Sequence, residues 1–193
     1  MVAFLKLMLA FAPWLSFLII AHGSLFRLQL GLAVALLLSI VMGIARLHRG
    51  VILWTGLAFF TFSLVAVVFF ENMWVVRFMG VLANGALASA TWISIALRKP
   101  FTLDYAKANT DPSVWHDPRF IRTNDIITSV WGLVFTLNAI IAGIAAFDAG
   151  LSAEMREAAN YSLLLMAAVF SVWYPKVVSS KLGPVSATDG PGG

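Results

Sequence analysis

Apolar residues fall into six long runs separated by short polar stretches, at 4–21, 28–45, 51–70, 74–97, 126–147 and 161–178. The run 51–70 holds twenty residues and no charge, which matches the roughly 20 residues a helix needs to cross ~30 Å of hydrocarbon. A central Asp, Lys or Arg costs about 2.5–3.5 kcal/mol on insertion, so their exclusion is a signal in itself. Alternating strand patterns are missing, and lipid offers no water to unpaired backbone groups, so these runs are expected as helices. The expected fold is an all-α polytopic transmembrane bundle of five to six spans. It forms a single domain over 1–181, followed by a disordered tail at 182–193 whose Gly, Pro, Ser and Thr bury too little to order themselves. The count turns on the first run, which Pro13 and Trp14 interrupt. If that run is re-entrant or interfacial, the spans number five.

Composition strengthens this picture. Hydrophobic residues make up 61% of the 193 and charged residues 11%, against about 25% charge in soluble chains. Mean hydropathy is +0.91. The net charge of +4 is no sign of nucleic-acid binding, because the cations sit beside the apolar runs, where they set orientation. Lys6, Arg46, Arg49, Arg98, Lys99, Lys107, Arg119, Arg122, Lys176 and Lys181 fall on one side, and Arg27, Arg77 and Arg156 on the other. Ten against three places both termini in the cytoplasm. With five spans Lys6 changes sides, and the ratio becomes nine against four. Lys6, the apolar run and Ala21-His22-Gly23 imitate a secretory signal, but further spans follow at once, so an uncleaved first segment is expected. With no cysteine, disulfides, thiolate nucleophiles and cysteine-bound metals are excluded.

Two kinds of residue within the runs invite a packing role. Gly31, Ala35, Ser39 and Gly43 recur at every fourth residue, and Ser129, Gly132, Thr136, Ala139 and Gly143 at every third or fourth. Such stripes let helix backbones approach closely, either within one bundle or across a homo-oligomer interface. Asn84 and Asn138 are the most polar residues deep in the runs. They are expected to make interhelical hydrogen bonds, with lining of a substrate path as the alternative.

The one sizeable polar region is the cytoplasmic loop 98–125. Asp111-Pro112 and Asp117-Pro118 each supply a capping acid and a proline at the first helical position. A short helix is expected from Pro112, and another from Pro118 that runs on into the fifth apolar segment. Trp115, Arg119, Phe120 and Arg122 mix aromatic anchors with cations, which suits a loop docked on the membrane surface. Asp111, His116, Asp117 and Asp125 are legitimate metal-ligand types, but two of these acids already serve as caps and one histidine is a thin set. No catalytic, cofactor or metal site is expected. There is no HExxH, GxSxG or phosphate-binding glycine loop.

The order of several short motifs resembles the bacterial intracellular septation protein A family over roughly residues 4 to 178. Phe11-Ala12-Pro13 looks like that family's Phe-Leu-Pro opening, and Ala45-Arg46-Leu47-His48-Arg49 resembles its basic turn. Arg98-Lys99-Pro100-Phe101 is similar to a Gly-Lys-Pro-Leu exit, and Asp111-Pro112-Ser113-Val114-Trp115 to a Pro-x-x-Val-Trp. The Asn124 to Asn138 spacing matches an asparagine pair. The chain departs from the pattern by an insertion around His116 to Phe120. Ile127 also stands where the family has a tryptophan, with Trp131 arriving later. The resemblance implies a non-enzymatic inner-membrane protein that maintains the envelope or septum. Its implied partners are the lipid bilayer and membrane proteins of division or elongation. A small transporter or channel component is the main rival, followed by a lipid-modifying enzyme that uses the loop carboxylates and His116.

Overall fold

The computed structural model describes residues 9–45, 50–107, 110–147, 150 and 152–180. Lys6, Arg46, His48, Arg49, Lys181 and the tail 182–193 lie outside the described residues. Among the described residues the α-helices follow one another as α1 (Ala12–Ile20), α2 (Leu25–Ile44), α3 (Val51–Leu64), α4 (Met73–Arg77), α5 (Met79–Ala96), α6 (Phe101–Lys107), α7 (Pro118–Ala146) and α8 (Ala153–Ser180). There is no strand among the described residues. Among the described residues five helices are long and apolar enough to cross a membrane: α2, α3 with its extension to Phe69, α5, α7 and α8.

The boundaries have local causes. Ser24 caps α2 by accepting from the Arg27 amide at 3.2 Å. Beyond Leu64 the third helix widens into a π turn, Val65–Phe69, which Phe70 closes by donating to the Val65 carbonyl. Asn72 then accepts from the amides of Trp74 and Val75 and starts α4. The run 74–97 is therefore not one helix but two, broken at Phe78. Arg77 bridges the break outward, its Nε donating to the Ala146 carbonyl at 2.8 Å. A cation at the carboxyl end of α7 is favoured by that helix's dipole.

The long helices alternate in direction, and two ends of the bundle can be named: the loop end, with residues 98–107 and 110–117, and the far end, with residues 21–24, 70–72, 147, 150 and 152. The closest antiparallel pair is α5 with α7. A methyl group on Gly80 would lie 3.1 Å from Ala142 Cβ, and one on Gly132 would strike the Trp92 ring at 2.9 Å. Trp92 also donates its indole N–H to Thr136 Oγ1 at 3.1 Å, so the Gly132–Thr136 stripe of α7 faces α5.

The centre is aromatic and is built around the nine-residue helix α1. Phe11, at the cap of α1, stacks on Trp131 of α7 at 5.3 Å and meets Phe101 and Phe135 at 6.0 and 6.1 Å. One turn on, Trp14 lies on Phe59 and Phe60 of α3, with centroids 5.3 and 4.8 Å away. Thus α1 is a wedge between α3 and α7. It is directed from the level of Phe101 toward Ala21 at the far end. Nine residues cover only ~14 Å, so the described part of the first run is too short to cross by itself.

Candidate functional site

The loop end carries a polar surface built on the turn that follows α5. It begins at Arg98, whose φ of 56° lies in the left-handed region and turns the chain back after α5. Lys99 donates to the Ser94 carbonyl, and Ser94 Oγ accepts from the Phe101 amide at 3.2 Å. The turn folds α6 back onto α7. Phe101, Thr102, Leu103 and Tyr105 are buried, so the loop 98–125 is not a uniformly polar stretch. Thr102 Oγ1 donates to the Asn124 carbonyl at 3.1 Å, which leaves Thr128 as donor in the 2.8 Å contact between the two threonine hydroxyls. Burial pushes the Tyr105 phenol well above its usual range, and the negative charge of Asp104 adds to the shift.

From α6 the chain reaches a 3-10 turn, Pro112–Val114, and then α7. The expected caps are both present. Asp111 accepts from the Ser113 amide at 2.9 Å, and Asp117 from the Arg119 amide at 2.8 Å. The bond from the Ser113 backbone holds the Asp111 carboxyl below its ordinary range. Trp115 is turned toward the loop itself. It is half-buried, its indole N–H donates to the Thr110 carbonyl at 3.1 Å, and the Lys107 ammonium sits 5.5 Å from its ring centroid. Phe120 is half-buried, while Arg119 and Arg122 are exposed on the first turns of α7. Of the four loop residues, only the two arginines are freely presented.

The loop carboxylates and His116 do not gather. Among the described residues no three His, Asp or Glu side chains come together as a metal site. At the far end His22 lies 3.7 Å from Glu157 and 3.2 Å from the Tyr161 hydroxyl, which ties the α1–α2 turn to the start of α8.

The small residues of α2 face inward. Gly31, Ala35 and Ser39 are buried and Gly43 is half-buried. A methyl on Gly31 would stand 3.0 Å from Ala21 Cβ, and one on Gly43 would stand 3.6 Å from Leu53. Gly56 of α3 contributes to the same seam without belonging to any stripe, since a Cβ there would meet Trp14 Nε1 at 3.3 Å.

The asparagines depart from expectation. Asn84 donates to the Gly80 carbonyl of its own helix at 2.9 Å. Asn138 is buried with neither amide atom hydrogen-bonded, and the Ser63 hydroxyl is in the same condition. Two of the polar ties between the long helices come instead from indoles, Trp92 to Thr136 and Trp131 to Ser171 at 2.9 Å. A tryptophan reaches a neighbouring helix more easily than an asparagine, for which the carbonyl one turn back is always in range. The signal for α6 was present in Phe101, Leu103 and Tyr105, apolar residues inside a polar stretch.

Comparison with family models, with curated proteins and with solved structures gives no match.

Proposed function

We propose that the chain is a non-enzymatic, multi-pass bacterial inner-membrane protein with a cytoplasmic C-terminus. In this reading it supports envelope maintenance or septation through protein and lipid contacts at its loop end. The observation that carries the reading is the pair Arg119 and Arg122, exposed beside Phe120 on the first turns of α7. They stand on a packed platform, because α6 is buried against α7 beneath them and Asp117 fixes the helix start. Rigid presentation lowers the entropy lost on docking, and anionic headgroups contribute about 1 kcal/mol per basic residue near the surface. The envelope setting comes from the resemblance to the septation family. Replacing Arg119→Gln and Arg122→Gln together should lower the yield of partners crosslinked in native membranes, at matched expression, while His116→Ala leaves it unchanged. Loss of function on His116→Ala alone, with the arginine pair silent, would replace this reading by the lipid-modifying one.

Asn138 favours the transport rival, since a buried amide without partners is a candidate substrate contact. Asn138→Leu separates the two. As packing, the change removes an unpaired polar group and holds or raises thermal stability. As a transport residue, its loss abolishes flux in vesicles without lowering stability.

A further inference from the structure

Asn138 is 2% exposed, and its carboxamide meets neither a donor nor an acceptor. A buried amide is costly in that state and is seldom left so. Its position follows from register. Trp131 of α7 donates to Ser171 of α8, and the two helices run antiparallel through a short connection. Seven residues fall within about 20° of two full turns. Seven steps toward the far end from each partner therefore keep the same faces and bring Asn138 level with Leu164. Tyr161, which is bonded to His22, and the half-buried Asn160 come one turn later, about 5 Å along the axis. Tight packing stops at this level. Asn138 is the last buried residue of α7, and Ala167 is the one buried residue described in α8. On the opposite side Trp131, Phe135 and Phe11 close the seam with rings.

The walls carry no charge. α1, α7 from Ile126 to Ala146 and α8 from Ala158 to Pro175 hold no acid or base, and Arg156 and Glu157 lie about two turns from Leu164. An ion beside Asn138 would find no counter-charge, whereas a carboxamide offers both a donor and an acceptor to a neutral group. We propose that the far half of the α7–α8 seam is a binding crevice with Asn138 as its floor. Its ligand is a small uncharged solute bearing a hydroxyl or an amide. It enters from the far face, by outward movement of the first half of α8, because the aromatic centre closes the other end. The proposal deepens the reading of Asn138 as a substrate contact and rests on it, but not on Arg119 or Arg122.

The probes are iodoacetamide, an uncharged amide, and iodoacetate, an anion of similar size; each alkylates a thiolate with loss of iodide. The chain has no cysteine, so Leu164→Cys sets a single thiol opposite Asn138. Alkylation in native membranes is followed by intact mass, and rates are normalised to Ser152→Cys, which is exposed. Leu164→Cys should react with iodoacetamide, and with iodoacetate about tenfold more slowly or less. Leu165→Cys, at a position 65% exposed on the outer side of α8, and Ile127→Cys, beyond the ring layer, should stay unreactive. Adding Asn138→Leu to Leu164→Cys should slow iodoacetamide about fivefold, the worth of one hydrogen bond. Where Leu164→Cys fails to fold, Asn160→Cys, one turn nearer the mouth, takes its place. A rate indifferent to Asn138→Leu overturns the proposal, as does parity of the two reagents. Reaction at Ile127→Cys, or a Leu164→Cys no faster than Leu165→Cys, also overturns it. Flux plays no part in these rates. Labelling without flux leaves a binding site that does not transport, and flux without labelling removes the crevice alone.

Discussion

α1 and α8 invert the usual relation between length and burial. α1 has nine residues, yet Pro13, Trp14 and the adjoining Phe11 are buried in the middle of the bundle. α8 has 28 residues, and only 11% of its apolar window is buried. α1 is the more apolar of the two, but α8 still carries a stretch apolar enough to span, so insertion alone does not decide which is buried. In lipid the exposed face of a helix gains nothing by turning inward, because the surroundings are as apolar as the core. Position in the bundle is decided by shape, which here means aromatic rings meeting rings and small residues letting backbones close. α1 supplies Phe11, Trp14 and Phe17 in successive turns, each against rings of other helices. α8 supplies the buried Ala167 and the hydroxyl of Ser171, which reaches Trp131.

The largest test of this contrast is all-or-none. α1 points from the level of Phe101 toward the far end, so its start lies toward the side of Ser113. The chain has no cysteine, so single cysteines at Ala3, Ser113 and Ser152 report without background. Ala3→Cys and Ser113→Cys should label from one side of the membrane and Ser152→Cys from the other. An Ala3 position that labels with Ser152 would mean that the first segment turns back, leaving five spans.

Next in size is the energetic contrast. Phe11→Ala or Trp14→Ala should cost about 3–5 kcal/mol, the range for deleting a buried aromatic. Trp173→Ala on α8 removes a ring that is 55% exposed and should cost under about 1 kcal/mol. Thermal unfolding in detergent compares them directly. Similar losses at the two sites would show that α8 is covered by something other than lipid.

The difference between these helices was only partly legible in the sequence. Long uncharged runs announce insertion, because a mid-membrane charge is costly whichever way a helix faces, and all five long helices lie on runs read that way, α7 starting at Pro118 where its cap was expected and α8 at Ala153, well ahead of its run. The caps at Asp111 and Asp117 were legible for a similar reason, since an acid followed by proline has a local job that tertiary structure rarely overrides. Pro13 and Trp14 looked like interruptions of a weak span. They belong instead to the packing centre, and that role depends on Phe59, Phe60 and Trp131, more than forty residues away. The partners of Trp115 were hidden in the same way, since its contacts with Thr110 and Lys107 depend on how the loop closes on itself.

A smaller effect measures how firmly the rim is attached to the centre. Trp131 touches both sides of the comparison, stacking on Phe11 and donating to Ser171 of α8. Ser171→Ala should cost about 1 kcal/mol, the net worth of one hydrogen bond. Combined with Trp131→Phe, which keeps the stack and loses the donor, the two changes should be sub-additive by about the same amount. Additive losses would mean that the indole N–H has another partner and that α8 is held by apolar packing alone.

The smallest expected effect sits where the α1–α2 turn meets α8 at the far end. His22 approaches Glu157 at 3.7 Å, with side chains 39% and 49% exposed, and it shares a 3.2 Å hydrogen bond with the Tyr161 hydroxyl. So exposed a contact is screened by water and carries the entropy cost of holding two side chains in place. Glu157→Gln should therefore change thermal stability by under about 0.5 kcal/mol. Tyr161→Phe should do only slightly more, since the hydroxyl it removes is also open to solvent. Melting of both variants at one fixed pH, beside Ser171→Ala, ranks the two attachments of α8. A loss on Glu157→Gln larger than that on Ser171→Ala would reverse the order. It would place the anchor of α8 at its exposed polar end, in the contact with the turn that follows α1, rather than at the aromatic centre.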